Sequence, residues 1–190
     1  MSIYPYLRPL WAALAVSALV NLASLTDSMT ILMIANVINL LCYAVVAFVL
    51  YRLSDESARF GHAFPARLFS VALIGLALVC TAFNPENPAL LNFLSLLSLA
   101  GSVAGLLSEY YMYWALDERI IPCAYNYPAR RIRWCFYAPL LGAFVASPLM
   151  LIGQAKAAVL LQCLTQFIPL ILLRQYMQAV KAREDDPLSF

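Results

Sequence analysis

The 190-residue chain is 64% hydrophobic and only 12% charged, with a formal net charge of +2 and a mean hydropathy of +0.80. Soluble domains carry about 25% charged residues, so most of this surface must face something other than water. The composition excludes an ordinary soluble domain. The net charge of +2 says little about nucleic acid, because the basic residues are accounted for by membrane topology and lipid headgroups.

Six stretches of the chain contain no Asp, Glu, Lys or Arg. A helix needs about 20 apolar residues, range ~17–25, to cross the hydrocarbon core of a bilayer, and every stretch has such a length. They are Pro9–Thr26, Ser28–Tyr51, Leu68–Pro85, Asn87–Ser108, Trp134–Ala155 and Ala157–Leu173. Hydrocarbon offers backbone groups no partner, so the spans must be helical. The sequence predicts an all-α integral membrane protein with six transmembrane helices in a single domain, residues 1–190.

The first predicted pair of helices occupies residues 4–56. It opens with Tyr4–Pro5, an interfacial aromatic ring followed by a proline suited to the start of a helix, and it closes with the acidic Asp55–Glu56. Asn36 and Asn39 lie at mid-depth of its second helix, one turn apart and therefore on one face. Amides in hydrocarbon need partners, because an unpaired one costs a few kcal/mol.

The second predicted pair, residues 64–118, repeats this plan. Phe64–Arg67 (FPAR) opens it and Asp117–Glu118 closes it. Ser98 lies at mid-depth of its second helix, at the position that corresponds to Asn36. Glu109 lies about two turns before the closing acids.

Small and aromatic residues on the fourth span predict how it packs. Gly101 and Gly105 are four residues apart, a spacing that lets another helix approach the backbone closely. Tyr110, Tyr111, Tyr113 and Trp114 follow, and we expect this cluster to form part of an interfacial aromatic belt.

The third predicted pair, residues 127–186, opens with Tyr127–Arg130 (YPAR) and closes with Glu184–Asp186. Gln162 and Gln166 form an i,i+4 pair on its second helix, and Gln166 corresponds in depth to Asn36 and Ser98. Three copies of one plan predict three tandem helical hairpins that all start from the same side of the membrane. Such repeats are parallel, unlike the inverted repeats of many secondary transporters.

The basic residues orient the hairpins. All of the twelve Lys and Arg residues except Lys156 fall on the side where the hairpins begin and end. The positive-inside rule places that side, with the N- and C-termini, in the cytoplasm. The repeated arginines also suggest a ring of Arg–Asp/Glu contacts that joins the hairpins, whereas the simpler interpretation is that each motif anchors a helix at the interface.

Glu109 and Arg174 are the two ionisable residues within predicted spans, and ionisable groups at such depth are candidates for function. Both lie just inside the inner interface, the former on the fourth span and the latter on the sixth. They could pair with each other, or each could extend separately to the cytoplasmic headgroups.

The mid-depth polar groups allow two functions. The candidate ligand-binding residues are Asn36, Asn39, Ser98, Glu109, Gln162, Gln166 and Arg174. If they converge on a hydrated pocket, they predict transport or channel activity for a small solute or a lipid headgroup. If they only bond between helices, at about 0.6–2 kcal/mol each, the chain is a non-catalytic membrane subunit or scaffold that docks a partner through its cytoplasmic loops.

Residues for known catalytic chemistry are sparse. His62 is the single histidine and the five cysteines show no metal-ligand spacing. We therefore expect no enzyme activity, catalytic residue, metal or cofactor. The expected partners are the lipid bilayer and either a second copy or a protein at the cytoplasmic face, with no nucleic acid. The compact loops favour a bacterial inner membrane.

Overall fold

The computed structural model describes residues 3–26, 28–83, 88–120, 127–128 and 130–185, whose regular structure is entirely helical. The helices are α1 (Tyr4–Val20), α2 (Met29–Leu53), α3 (Ala58–Phe83), α4 (Pro88–Ile120), α5 (Trp134–Leu151) and α6 (Ala155–Asp185). Short 3₁₀ segments follow α1 (Asn21–Leu25), follow α2 (Ser54–Glu56) and precede α5 (Arg131–Arg133). Across these described ranges, six helices are long and apolar enough to cross a membrane, which confirms the prediction of six such helices.

The three proline motifs start their helices in different ways. Pro5 lies in the first turn of α1, as predicted. The prediction for Pro65 was wrong, because α3 already begins at Ala58 and Pro65 lies inside it. The reason is an upstream cap: Ser57 Oγ accepts a hydrogen bond from the backbone N–H of Phe60 at 3.3 Å, which starts the helix earlier. Pro128 is followed by a 3₁₀ turn, not directly by α5.

Helix α4 packs antiparallel against α3. Arg59 near the start of α3 pairs with Glu118 near the end of α4 at 2.8 Å, whereas Ile74, farther along α3, lies against Gly101 in the earlier half of α4. A Cβ on Gly101 would stand 2.8 Å from Ile74 Cγ1. The predicted close approach at the glycines is therefore confirmed, and α3 is the helix that approaches.

Helix α6 packs antiparallel against both α5 and α1 around Pro169. Because proline lacks an N–H, it removes one helical hydrogen bond and weakens the helix locally. Side chains from other segments bond to the carbonyls here: Cys135 Sγ lies 3.7 Å from Pro169 O and Trp11 Nε1 donates to Leu170 O at 2.9 Å. Tyr127 donates to Leu172 O at 3.5 Å. Burial raises the pKa of the Tyr127 phenol, which keeps the donated proton in place.

The hydrophobic core lies at the end of the bundle where α1, α3 and α5 begin and α2, α4 and α6 end. Fully buried side chains concentrate there: Leu7, Leu10, Leu50, Leu53, Phe60, Met112, Leu116, Ile132, Leu173 and Tyr176. We call this the arginine-rich end, because Arg59, Arg119 and Arg133 lie at it. The aromatic cluster of α4 belongs to this core. Tyr113 and Trp114 are buried, so the expected interfacial belt was wrong for them.

Ion pairs at the arginine-rich end join successive parts of the chain. Arg119 on α4 pairs with Glu56 after α2. Asp117 on α4 is 1% exposed, accepts the backbone N–H of Arg130 at 2.9 Å and pairs with Arg133 at 2.7 Å. Acidic ends therefore do bond to arginines of other segments. The arginine side chains that do so are those of Arg59, Arg119 and Arg133, whereas the motif arginine Arg67 pairs with Glu109 instead.

Candidate functional site

A cavity of about 680 Å³ lies between the helical segment after α1 and the helices α2, α3 and α4, in the half of the bundle away from the arginine-rich end. Its polar lining consists of Asn21, Asn36, Asn39, Tyr43, Thr81, Ser98 and Ser102. Ligand pockets are typically about 300–1,000 Å³ and mostly apolar, with a few polar groups. The cavity therefore has the size and lining of a small-molecule site.

Three of the predicted candidates share this cavity, namely Asn36, Asn39 and Ser98. The amide of Asn36 is exposed and bonds to none of the described residues. Ser102 donates to the Ser98 carbonyl of its own helix at 2.8 Å, a local bond typical of serine within helices. The cavity wall thus presents one amide that remains available to a ligand or to water.

Asn39 is held by a chain of hydrogen bonds that joins four helical segments, namely α1, the 3₁₀ segment after it, α2 and α6. Ser17 Oγ donates to Asn39 Oδ1 at 2.8 Å, and Asn39 Nδ2 donates to Asn21 Oδ1 at 2.6 Å. Asn21 Nδ2 then donates to Gln166 Oε1 at 2.7 Å. Each amide bonds through defined atoms, so the Asn39 side chain is fixed where it faces the cavity. Asn39 therefore both holds the helices together and forms part of the cavity wall.

The remaining candidates lie elsewhere. Gln166 reaches the cavity only through Asn21, and Gln162 is exposed on α6 outside the lining. Arg174 is exposed on α6. Of the two alternatives for Glu109, its pairing with Arg174 is wrong, because Glu109 Oε1 lies 3.1 Å from Arg67 Nη2. The antiparallel packing of α3 on α4 brings these two residues to the same level.

Arg67 is the residue that sequence reasoning misplaced most. We expected an interface anchor, yet its side chain is 2% exposed while its partner Glu109 is 27% exposed. The guanidinium carbon lies 5.3 Å from the centre of the Tyr43 ring, at a distance suited to a cation–π contact. Since Tyr43 also lines the cavity, the ion pair lies directly behind the inner end of the cavity wall.

Two buried polar atoms beside this ion pair have no partner among the described residues: Arg67 Nε and Ser70 Oγ. Unpaired buried donors are rare in native proteins and call for an explanation. Gly105 lies opposite, and a Cβ there would stand 3.2 Å from Ser70 Oγ and 3.7 Å from Arg67 Nη1. The glycine therefore lets α4 pack tightly against these polar groups, where even a methyl group would be crowded.

Part of this arrangement has a sequence signal that was overlooked. Ser17 and Asn21 are four residues apart near the end of α1, the same spacing that drew attention to Gln162 and Gln166. Arg67 and Ser70 carry no such signal, because their burial follows from the upstream start of α3. Within the described ranges, no group of three or more His, Cys, Asp or Glu residues could hold a metal ion.

Comparison with known proteins gives no relative: no protein family, no curated protein and no solved structure matches the chain.

Proposed function

We propose that this protein binds and moves a small solute or a lipid headgroup across the membrane through the cavity among α2, α3 and α4. The observation that carries the proposal is the convergence of polar residues from three helices and the segment after α1 on one space of about 680 Å³. Polar groups at membrane depth are costly unless they are paired or wet. Asn36 bonds to none of the described residues, which is best accounted for by water or a ligand.

The packing suggests the direction of access. The densest core closes the arginine-rich end, whereas the cavity lies in the other half, with Met29 and Thr81 at the outermost turns of its lining. The proposed resting state is therefore open toward the end opposite the arginines. Transport would require the packing around Arg67 and Tyr43 to open in turn.

We further infer that the arginine-rich end faces the cytoplasm, with both termini on that side and the chain arranged as three parallel hairpins. The support is the positional bias of Lys and Arg, which orients membrane proteins. A His62→Cys variant should react with a membrane-impermeant maleimide only after permeabilisation of cells. A Gln154→Cys variant, in the turn between α5 and α6, should react in intact cells, and the reverse pattern would refute this orientation.

Thiol accessibility tests the cavity. Ser98→Cys and Leu99→Cys are adjacent on α4, and both positions are exposed, but only the first lines the cavity. The background replaces Cys80, which is partly exposed, and Cys123 by serine. A charged thiosulfonate needs a hydrated thiolate, so we expect the Ser98→Cys variant to react at least about tenfold faster than Leu99→Cys. Equal, slow reaction of both would reject a wet cavity.

A second function is favoured by a different observation. An apolar groove of about 670 Å³ runs between α5 and α6, lined by Trp134, Leu141, Val145, Leu161, Ile168 and others. Such a groove would suit a helix of a second copy, in keeping with a non-catalytic subunit or scaffold. Oxidative cross-linking of Val145→Cys, but not of Leu96→Cys on α4, would support this function. Absence of a cross-linked dimer at both positions would count against it.

A further inference from the structure

Two helices place side chains with unused hydrogen-bonding groups in the cavity wall. The amide of Asn36 on α2 and the hydroxyl of Ser98 on α4 bond to none of the described residues. Both residues are exposed, so a ligand in the cavity reaches them without any rearrangement of the core. Helix α3 packs against both α2 and α4 and contributes the wall between them. The cavity therefore offers accessible polar groups on two of its sides.

Two further hydroxyls of the lining can only accept hydrogen bonds from a ligand. Thr81 donates its proton to the Ala77 carbonyl at 2.8 Å, and Ser102 donates to the Ser98 carbonyl at 2.8 Å. A hydroxyl oxygen whose proton is engaged still has lone pairs that accept. The amide of Asn36 both donates and accepts. A ligand that satisfies this wall must therefore carry donors as well as an acceptor.

The lining provides no charge to balance an ion. Among the described residues that line the cavity there is no Asp, Glu, Lys, Arg or His, and Tyr43 is a phenol. The opposite charges of Arg67 and Glu109 pair with each other outside the lining. A charged ligand would lose hydration here without gaining a counter-ion, which is unfavourable at membrane depth. The lining therefore selects an uncharged molecule.

The apolar part of the lining selects the body of the ligand. Leu32 and Leu40 on α2 and Ile74 and Leu78 on α3 contribute most of this surface. Contact with such side chains favours an aliphatic body because it removes apolar surface from water. The cavity as a whole therefore matches a molecule with an apolar body and one polar end.

We propose that the cavity binds a small uncharged solute whose apolar body carries a polar end that both donates and accepts hydrogen bonds, as a carboxamide does. A carboxamide pairs edge to edge with the Asn36 amide through two bonds and keeps one N–H for a hydroxyl of the wall. This inference rests on the proposed function and narrows its ligand to a solute, because the phosphate of a phospholipid headgroup is charged.

The test is calorimetric titration of the full chain in lipid nanodiscs at neutral pH, with empty nanodiscs as the blank for partition into lipid. The probes share one chain length: hexanamide, N,N-dimethylhexanamide, sodium hexanoate and hexylammonium chloride. We expect hexanamide to bind at least about tenfold more tightly than each of the others, because the dimethyl amide has no donor and the two ions have no counter-charge. Equal affinity for hexanamide and either ion would overturn the proposal. No binding of hexanamide above the blank would also overturn it.

Variants of Asn36 test its place at the ligand. Asn36→Leu should weaken hexanamide about tenfold, whereas Gln162→Leu, at an exposed position of α6 outside the lining, should leave its affinity unchanged. Asn36→Asp keeps the size of the side chain and adds a negative charge. It should raise the affinity for hexylammonium at least about tenfold, while the control Gln162→Glu should not.

This gain of cation binding is a change that a merely structural role of Asn36 would not produce. Unchanged affinity for hexylammonium in a folded Asn36→Asp variant would show that the amide does not face the ligand. If the variants do not fold, the four probes on the native chain still decide.

Failure of this proposal is distinguishable from failure of the proposed function. If the Ser98→Cys variant reacts as a wet site but hexanamide is not preferred, the assigned ligand class is wrong and the cavity remains. If that thiol is unreactive, the cavity itself is refuted.

Discussion

Arg67 on α3 and Glu109 on α4 form an ion pair at 3.1 Å whose cationic partner is almost fully buried. Replacing the acid in two ways should reveal what the pair contributes. Glu109→Gln keeps an oxygen that can accept from Arg67 and should cost about 1–2 kcal/mol, whereas Glu109→Leu leaves the guanidinium unpaired and should cost about 3 kcal/mol. Denaturant unfolding in mixed micelles measures both, and equal losses would show that Arg67 does not depend on this acceptor.

Asp117 should be far more sensitive than its neighbour in sequence. Asp117 is 1% exposed and holds both Arg133 and the backbone of Arg130, while Glu118 pairs with Arg59 at 47% exposure. We expect Asp117→Ala to lower the free energy of unfolding by about 3 kcal/mol and Glu118→Ala by less than about 1 kcal/mol. Thermal unfolding of the two purified variants provides the comparison. Similar midpoints would contradict the structure at this end of the bundle.

The hydrogen-bond chain through Asn39 predicts a difference between two asparagines one turn apart. Asn39→Ala removes bonds to Ser17 and Asn21 and should cost about 1–3 kcal/mol, from about 0.6–2 kcal/mol for each interhelical bond. Asn36→Ala removes no bond to the described residues, so its stability should change little. The same unfolding assay decides, and a larger loss for Asn36→Ala would mean that the two amides have exchanged roles.

The contact between α5 and α6 predicts which glycine tolerates a methyl group. A Cβ on Gly142 would overlap Thr165 Oγ1 and stand 2.8 Å from Thr165 Cβ, whereas a Cβ on Gly61 would meet nothing closer than 3.7 Å. Gly142→Ala should therefore destabilise the protein by about 1–3 kcal/mol through overpacking. Gly61→Ala should be neutral or slightly stabilising, because alanine favours helix. A tolerated Gly142→Ala would place these helices farther apart.

The sequence predicted the number and places of the helices because each membrane span must be an apolar helix of about 20 residues. Charge-free stretches of that length can be read directly from the sequence. The burial and the partners of individual side chains were not predicted, for a physical reason. Whether Arg67 reaches the interface or is buried depends on where α3 begins, and that is decided by the Ser57 cap and not by the proline motif. The partner of Glu109 depends on the register of α3 against α4, which a single sequence does not specify.

Candidate residues could be predicted from the sequence where they lie at similar depth on polar helix faces. Asn36, Asn39 and Ser98 were found from depth and spacing, and the fold brings them to one cavity. Gln162 has the same kind of signal but lies on an exposed face of α6. Spacing identifies a polar face, whereas the neighbouring helices determine whether that face lines a cavity.

The central claim is that the cavity among α2, α3 and α4 holds water. The hydration of individual side-chain amides tests it directly. Asn36 and Gln162 are each seven residues from the outer start of their helices, α2 at Met29 and α6 at Ala155, and both are exposed. Water-edited solid-state NMR of the protein in bilayers measures how fast magnetisation passes from water to each amide. We predict rapid transfer to Asn36 and slow transfer to Gln162, which lies outside the cavity lining. Equally slow transfer to both amides would contradict the account.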